Sequence, residues 1–119
     1  MDDVLAQFAA EIGMAMQPRE AEMPAVFRFE SSGRLFVEER GERILVYLEG
    51  PMMVSDGHAM LSALASCTVE RRHEMPVRVG LTSDDHLVFG VVLQASEFTL
   101  QALHAALEEL KQHHADLMN

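Results

Sequence analysis

Six histidines, a single cysteine and nineteen Asp or Glu side chains are the groups in this 119-residue chain that could ligate a metal or move a proton. Spacing decides whether they can act together. His113 and His114 are adjacent, so on a helix their rings point about 100° apart. With His104 they lack the i, i+4 pairing that sets two imidazoles on one helix face. His58 follows a helix-capping pair, and His73 follows two arginines at a helix end; both read as solvated or terminus-capping groups. Cys67 lies in an apolar segment with nothing before the arginines to lower its pKa, which makes it a small buried thiol rather than a nucleophile. Asp84 and Asp85 occupy a turn, where such residues hold backbone. Glu38–Glu39 and Glu108–Glu109 read as solvated surface. The glycines form neither GxGxxG nor GxxxxGK, so there is no phosphate cradle. The expectation is a protein with no catalytic centre, no metal and no cofactor.

The elements that carry these residues can be read from periodicity. Val4, Leu5, Phe8 and Ile12 recur at helical spacing behind Asp2 and Asp3, and Gly13 supplies a stop, which predicts a short amphipathic helix over 2–13. Residues 14–24, with Pro18 and Pro24, read as a connection. Three alternating runs follow, AVFRFES, RLFVEER and RILVYLEG, divided by Ser32–Gly33 and Gly41–Glu42. They predict an antiparallel meander with tight hairpins. Ser55 and Asp56 can cap a helix to about Arg72, with Met60, Leu61, Leu64 and Cys67 or Thr68 on one side. VRVGL and HLVFGVVLQ then flank the turn TSDD; the second run is apolar on both faces and calls for cover on each. From Ser96 or Thr99, the positions Leu100, Leu103, Leu107, Leu110, His114 and Leu117 predict a long helix docked along a sheet. The expected fold is therefore α+β in the order α-β-β-β-α-β-β-α, a twisted antiparallel sheet packed by helices, in one domain over 1–119.

Charge narrows the function. Nine basic residues against nineteen acidic give a formal charge of −10. Such a surface argues against nucleic acid and against anionic membranes. The start MDDVLAQFAAEIG has acids where a signal peptide needs bases, and no apolar run approaches the ~18 residues of a spanning helix. With a lone cysteine, the expected compartment is the cytoplasm. Nine methionines are many for this length, and Met14, Met16, Met23, Met52, Met53 and Met75 fall in or beside connections. They read either as loose gap filling or as an adaptable apolar surface for a segment of another chain.

The order of elements and four local patterns resemble class I type III secretion chaperones, the CesT-like or Tir chaperone family, and within it the SycN-like members. The patterns are FAAEIG, SGRLFVEERGERILVYL, MPVRVGLTSDDHLVFGVVL and TLQALHAALEELKQ. Residues 51–60 match that family poorly. The resemblance implies binding rather than catalysis: a bacterial chaperone that holds the N-terminal segment of a secreted effector or gatekeeper protein in an export-competent state. It further implies a homodimer, or a heterodimer with a second small chaperone. The pairing surface would comprise Met60, Leu61, Leu64 and Ala65 with Val77 and Val79. A client would be held by strand addition at the edge of the first strand and by apolar side chains, for which Leu5, Phe8, Phe27, Phe29, Phe36, Met52 and Met53 are the candidates. Two other classes remain: a YbjN-like binding or regulatory module unrelated to secretion, and, more weakly, a metal-dependent enzyme.

Overall fold

The computed structural model describes residues 1–14, 23–29, 33–53, 77–82 and 84–118, with the backbone alone at 51–53 and 117–118. Helix α1 (Asp2–Glu11) begins with the two aspartates at its positive end, where their charge opposes the helix dipole favourably. Gly13, at φ 74°, ends the helix as the sequence predicts, and the amide of Met14 donates back to the Ala9 carbonyl.

The meander forms where the alternation places it: β1 (Ala25–Phe29), β2 (Gly33–Arg40) and β3 (Arg43–Met53). Gly41, at φ 62°, turns β2 into β3 through a two-residue loop that leaves Arg40 opposite Arg43. The second pair is β4 (Arg78–Leu81) and β5 (His86–Gln94). Its turn departs from the sequence reading in which side chain holds it. The Thr82 hydroxyl accepts the amides of Asp84 and His86, while Asp85 takes a left-handed φ of 62°. A 3-10 turn (Ala95–Glu97) leads into α2 (Leu100–Met118), the last helix. Thr99 caps it, its hydroxyl accepting the Ala102 amide.

All neighbouring strands are antiparallel, in the order β1-β2-β3-β5-β4. Since β5 lies between β3 and β4, those two run parallel to each other. The helix expected over 55–72, with Met60, Leu61, Leu64, Ala65 and Cys67, lies outside the described residues.

One face of the sheet makes the core. Phe27, Leu35, Val37, Val46, Leu48, Phe89 and Val91 meet Leu5 and Phe8 of α1 and Leu103, Leu107 and Leu110 of α2. This is the alternation of each strand expressed in three dimensions, because a period of two sends every second side chain to the same side. The leucine stripe of α2 needed a broad apolar partner and found the sheet. Ala106 adds to it without exposure, its small side chain allowing close approach.

Candidate protein-binding surfaces

The opposite face of the sheet is built from the remaining half of each strand. Cross-strand register sets Val26 beside Phe36, Phe36 beside Tyr47, and Tyr47 beside Gly90, a row running across four strands. Leu45 beside Val92 lies next to this row, and Val88 flanks it on the other side. The Phe36 and Tyr47 rings stack with centroids 4.9 Å apart and planes 8° from parallel. These side chains are half-buried, and Val26 is 40% exposed, whereas Leu35, Val37 and Val46 on the inner face are fully enclosed. Among the described residues, neither helix packs on this outer face.

Charged groups frame the row. Arg34 reaches Glu49 with Nε at 3.1 Å and Nη2 at 2.7 Å from one carboxylate oxygen, and its guanidinium lies 5.4 Å from the Phe36 ring centre. Arg40 donates to Glu38 at 2.8 Å. Glu38 also accepts from the Tyr47 phenol. Burial, followed by the Glu38 charge, raises the Tyr47 pKa above its ordinary value of 10.0.

The sheet ends in two edges. β1 pairs only with β2 and β4 only with β5 among the described residues, so alternate backbone groups of each edge strand point away from the sheet.

The candidate client residues distribute unequally over this architecture. Leu5 and Phe8 are 0% exposed and Phe27 3%; Phe8 and Phe27 meet edge to face at 5.1 Å. A segment of another chain cannot touch them without displacing this chain's own packing, so the expectation of open pockets at these three gives way to core. Half-buried Phe29 sits at the rim of the core, with Lys111 Nζ 6.0 Å from its ring centre. Phe36 alone among the candidate phenylalanines stands on the outer face. The side chains of Met52 and Met53 lie outside the described residues, as do Met60, Leu61, Leu64 and Ala65. Of the expected pairing surface, Val77 is buried, and Val79 packs partly against the core opposite Phe89.

The four described histidines hold structure together, while His58 and His73 lie outside the described residues. His114 Nε2 donates to the Leu48 carbonyl at 2.8 Å, and its ring meets Phe89 edge-on at 4.7 Å. His86 Nδ1 donates to the Gly50 carbonyl at 3.0 Å. His113 is enclosed beside Phe89, with Glu109 3.6 Å away. These bonds gather near the end of β3, where the register to β5 shifts between Glu49 and Met53. His104 pairs with Glu11 at 2.6 Å and ties α2 to α1. No group of three or more His, Cys, Asp or Glu among the described residues is arranged to hold a metal ion. No described helix is long and apolar enough to cross a membrane.

Sequence reasoning missed the Arg34–Glu49 pair and the His114–Leu48 bond, because each depends on register and helix placement. It did contain one usable signal: Arg28, Arg34, Arg40, Arg43 and Arg78 all fall at the outward positions of their strands.

Comparison with known proteins bears on these surfaces. The family model for the type III secretory system chaperone SycN matches residues 1–118. The chaperone protein SycN of Yersinia enterocolitica is 25% identical over 113 residues, covering 92% of this chain and 89% of that protein. Among solved structures, the Yersinia pestis type III secretion chaperone SycH, in complex with a stable fragment of YscM2, superposes with a TM-score of 0.71 at 14% identity, over 97% of each chain. YbjN, a putative transcription regulator from E. coli, superposes with a TM-score of 0.60 at 12% identity, over 97% of this chain and 86% of that one. The two structures share the sheet and helix arrangement described above. With a family match that runs almost from end to end, the chain belongs to the type III secretory system chaperone SycN family.

Proposed function

We propose that this protein works in the bacterial cytoplasm as a single domain over residues 1–119, binding the N-terminal segment of a secreted effector or gatekeeper protein and keeping it export-competent. Membership of a chaperone family implies a role without catalysis, and the reading needs no cofactor. The observation that carries it is the match across residues 1–118 to a secretion-chaperone family. The YbjN-like alternative rests on a likeness of fold at 12% identity.

Two features of the fold support a surface that holds extended chain. The edge of β1, unpaired among the described residues, can take a further strand, which supplies backbone hydrogen bonds with little demand on sequence. Phe29 and Phe36 stand near that edge on opposite sides, and Met52 and Met53 follow in β3. Leu5, Phe8 and Phe27 form the packed floor beneath. The pairing surface of a homodimer, or of a heterodimer with a second small chaperone, is assigned to Met60, Leu61, Leu64 and Ala65 together with Val77 and Val79. Nucleic acid is no partner of a chain with a net charge of −10.

The test is co-expression with a candidate secreted client, in full and without its N-terminal segment. Retention of the full client and loss of the truncated one is expected. Equal recovery of both places binding elsewhere in the client, and recovery of neither removes the reading.

A further inference from the structure

The arginines are not scattered. All five among the described residues, Arg28, Arg34, Arg40, Arg43 and Arg78, lie on the outer face of the sheet, by the same registers that put Phe36 and Tyr47 there. Among the described residues only two acids, Glu38 and Glu49, share that face, and each is engaged by an arginine. The other described acids sit on the helices, at turns and at strand ends. A chain that is strongly acidic as a whole thus presents one face on which, among the described residues, cations exceed anions.

Protection of sheet edges accounts for part of this pattern. Arg28 and Arg78 stand one on each edge strand, where a charge discourages unwanted pairing. It does not account for Arg34 and Arg43, which lie on the interior strands β2 and β3. Nor does it explain why these charges surround an apolar row in which two aromatic rings are stacked. Arg28, Arg43 and Arg78 have no carboxylate partner among the described residues. The row from Val26 to Gly90 crosses four strands, roughly 14 Å at the usual strand spacing, which a helix spans in about ten residues. Gly90 and Gly80 lower the floor at its far end, since neither projects a side chain.

We propose that this arginine-framed face receives an acidic amphipathic helix of a partner polypeptide, its apolar side on Phe36 and Tyr47 and its carboxylates on Arg28, Arg43 and Arg78. This rests on the reading that the protein holds segments of another chain, and it adds the chemistry of the segment and the place where it docks. Arginine suits the task because its planar fork binds carboxylates bidentately and stays charged at any cellular pH. The edge of β1, unpaired among the described residues, can take an extended stretch of the same partner.

The test uses the full chain and a fluorescently labelled synthetic helical peptide with Leu at i, i+3, i+4 and i+7 and Glu elsewhere, beside a counterpart with Lys in place of Glu. Tyr47 is the sole tyrosine and the chain has no tryptophan, so its fluorescence reports on this face directly. The Glu peptide is expected to bind, to perturb Tyr47 emission and to weaken as salt rises, while the Lys peptide does not bind. Arg28→Glu/Arg78→Glu should lower affinity by about ten-fold or more, and Arg28→Lys/Arg78→Lys should keep most of it, each with an unchanged far-ultraviolet spectrum. Equal binding of both peptides overturns the proposal. So does failure of the Glu peptide to bind, whether because the arginine-reversed protein alone falls to monomer mass, which assigns the face to a second copy, or because Tyr47 resists quenching by acrylamide, which assigns it to this chain's own residues. A client that binds wild type and the arginine-reversed variant equally removes this inference and leaves the proposed function standing; a client that binds neither removes the function.

Discussion

The imidazole of His114 donates from Nε2 to the Leu48 carbonyl at 2.8 Å, joining the last helix to the middle strand of the sheet near the end of its regular pairing. The ring also lies over Gly50, where an added Cβ would approach its Nδ1 and Cε1 within 2.7 Å. Helix and strand are therefore matched at one position by a bond that needs an imidazole N–H and a contact that needs a glycine.

This arrangement makes stability depend on pH. Burial lowers the His114 pKa below its ordinary 6.5, outweighing the opposing effect of the bond to Leu48. Between the folded and unfolded pKa values the unfolded chain binds more protons, so stability rises with pH across that interval. It is whole above about 6.5 and is lost as the pH falls from there through the folded value. Urea melts at pH 7.5 and 5.5 should show a decline for wild type that is smaller in His114→Gln. Equal declines in both proteins place the acid sensitivity in other groups.

Core and surface phenylalanines should separate. Phe8→Ala empties a site with no exposure and is expected to cost about 3–5 kcal/mol in denaturant unfolding. Phe36→Ala, on the outer face, should cost roughly 1 kcal/mol or less, and Phe36→Asp should weaken retention of a client while leaving the far-ultraviolet spectrum intact. Full retention by Phe36→Asp would remove this residue from the binding surface.

Gly33 and Gly13 provide a matched pair. Both have positive φ, at 97° and 74°, which costs an alanine about 1–2 kcal/mol. At Gly13 nothing lies within 4 Å of an added Cβ, but at Gly33 the Glu49 carbonyl oxygen would be 1.8 Å away. Gly33→Ala must therefore move β2 or β3 and should destabilise far more than Gly13→Ala. Similar thermal midpoints for the two variants would contradict the placement of Gly33 against β3.

Tyr47 should ionise above 10.0, first because it is partly buried and next because Glu38 stands beside it. With one tyrosine and no tryptophan, absorbance at alkaline pH follows this group alone. Glu38→Gln removes the charge and should bring the midpoint down. An unmoved midpoint would assign the shift to burial alone.

Much of the fold was legible because local rules and burial agree in these residues. The alternation of Leu35 and Val37, and of Ile44, Val46 and Leu48, specifies strands with one covered face, and the stripe from Leu100 to Leu110 specifies what covers it. Gly13, Gly41 and Thr99 were readable as punctuation because a positive φ or a missing hydrogen-bond partner demands few residue types. The binding surface was harder. Phe27 and Phe36 have the same chemistry and both lie in strands, yet one is core and the other is surface; the difference is which face the helices occupy, a property of tertiary packing. For the same reason Leu5 and Phe8 resembled docking residues in a short amphipathic helix until the sheet was set against them. The arginines at outward positions were visible in sequence, but their common face emerged only when strand order and register brought five separate residues together.

The central claim is tested most directly by the mass of the protein in solution, measured by native mass spectrometry alone and after co-expression with a candidate secreted client. The account predicts a species of twice the 13.3 kDa chain, or one chain with a second small chaperone, that gains the mass of one client and loses it when the client's N-terminal segment is deleted. A protein whose mass is the same with and without the client present would contradict it.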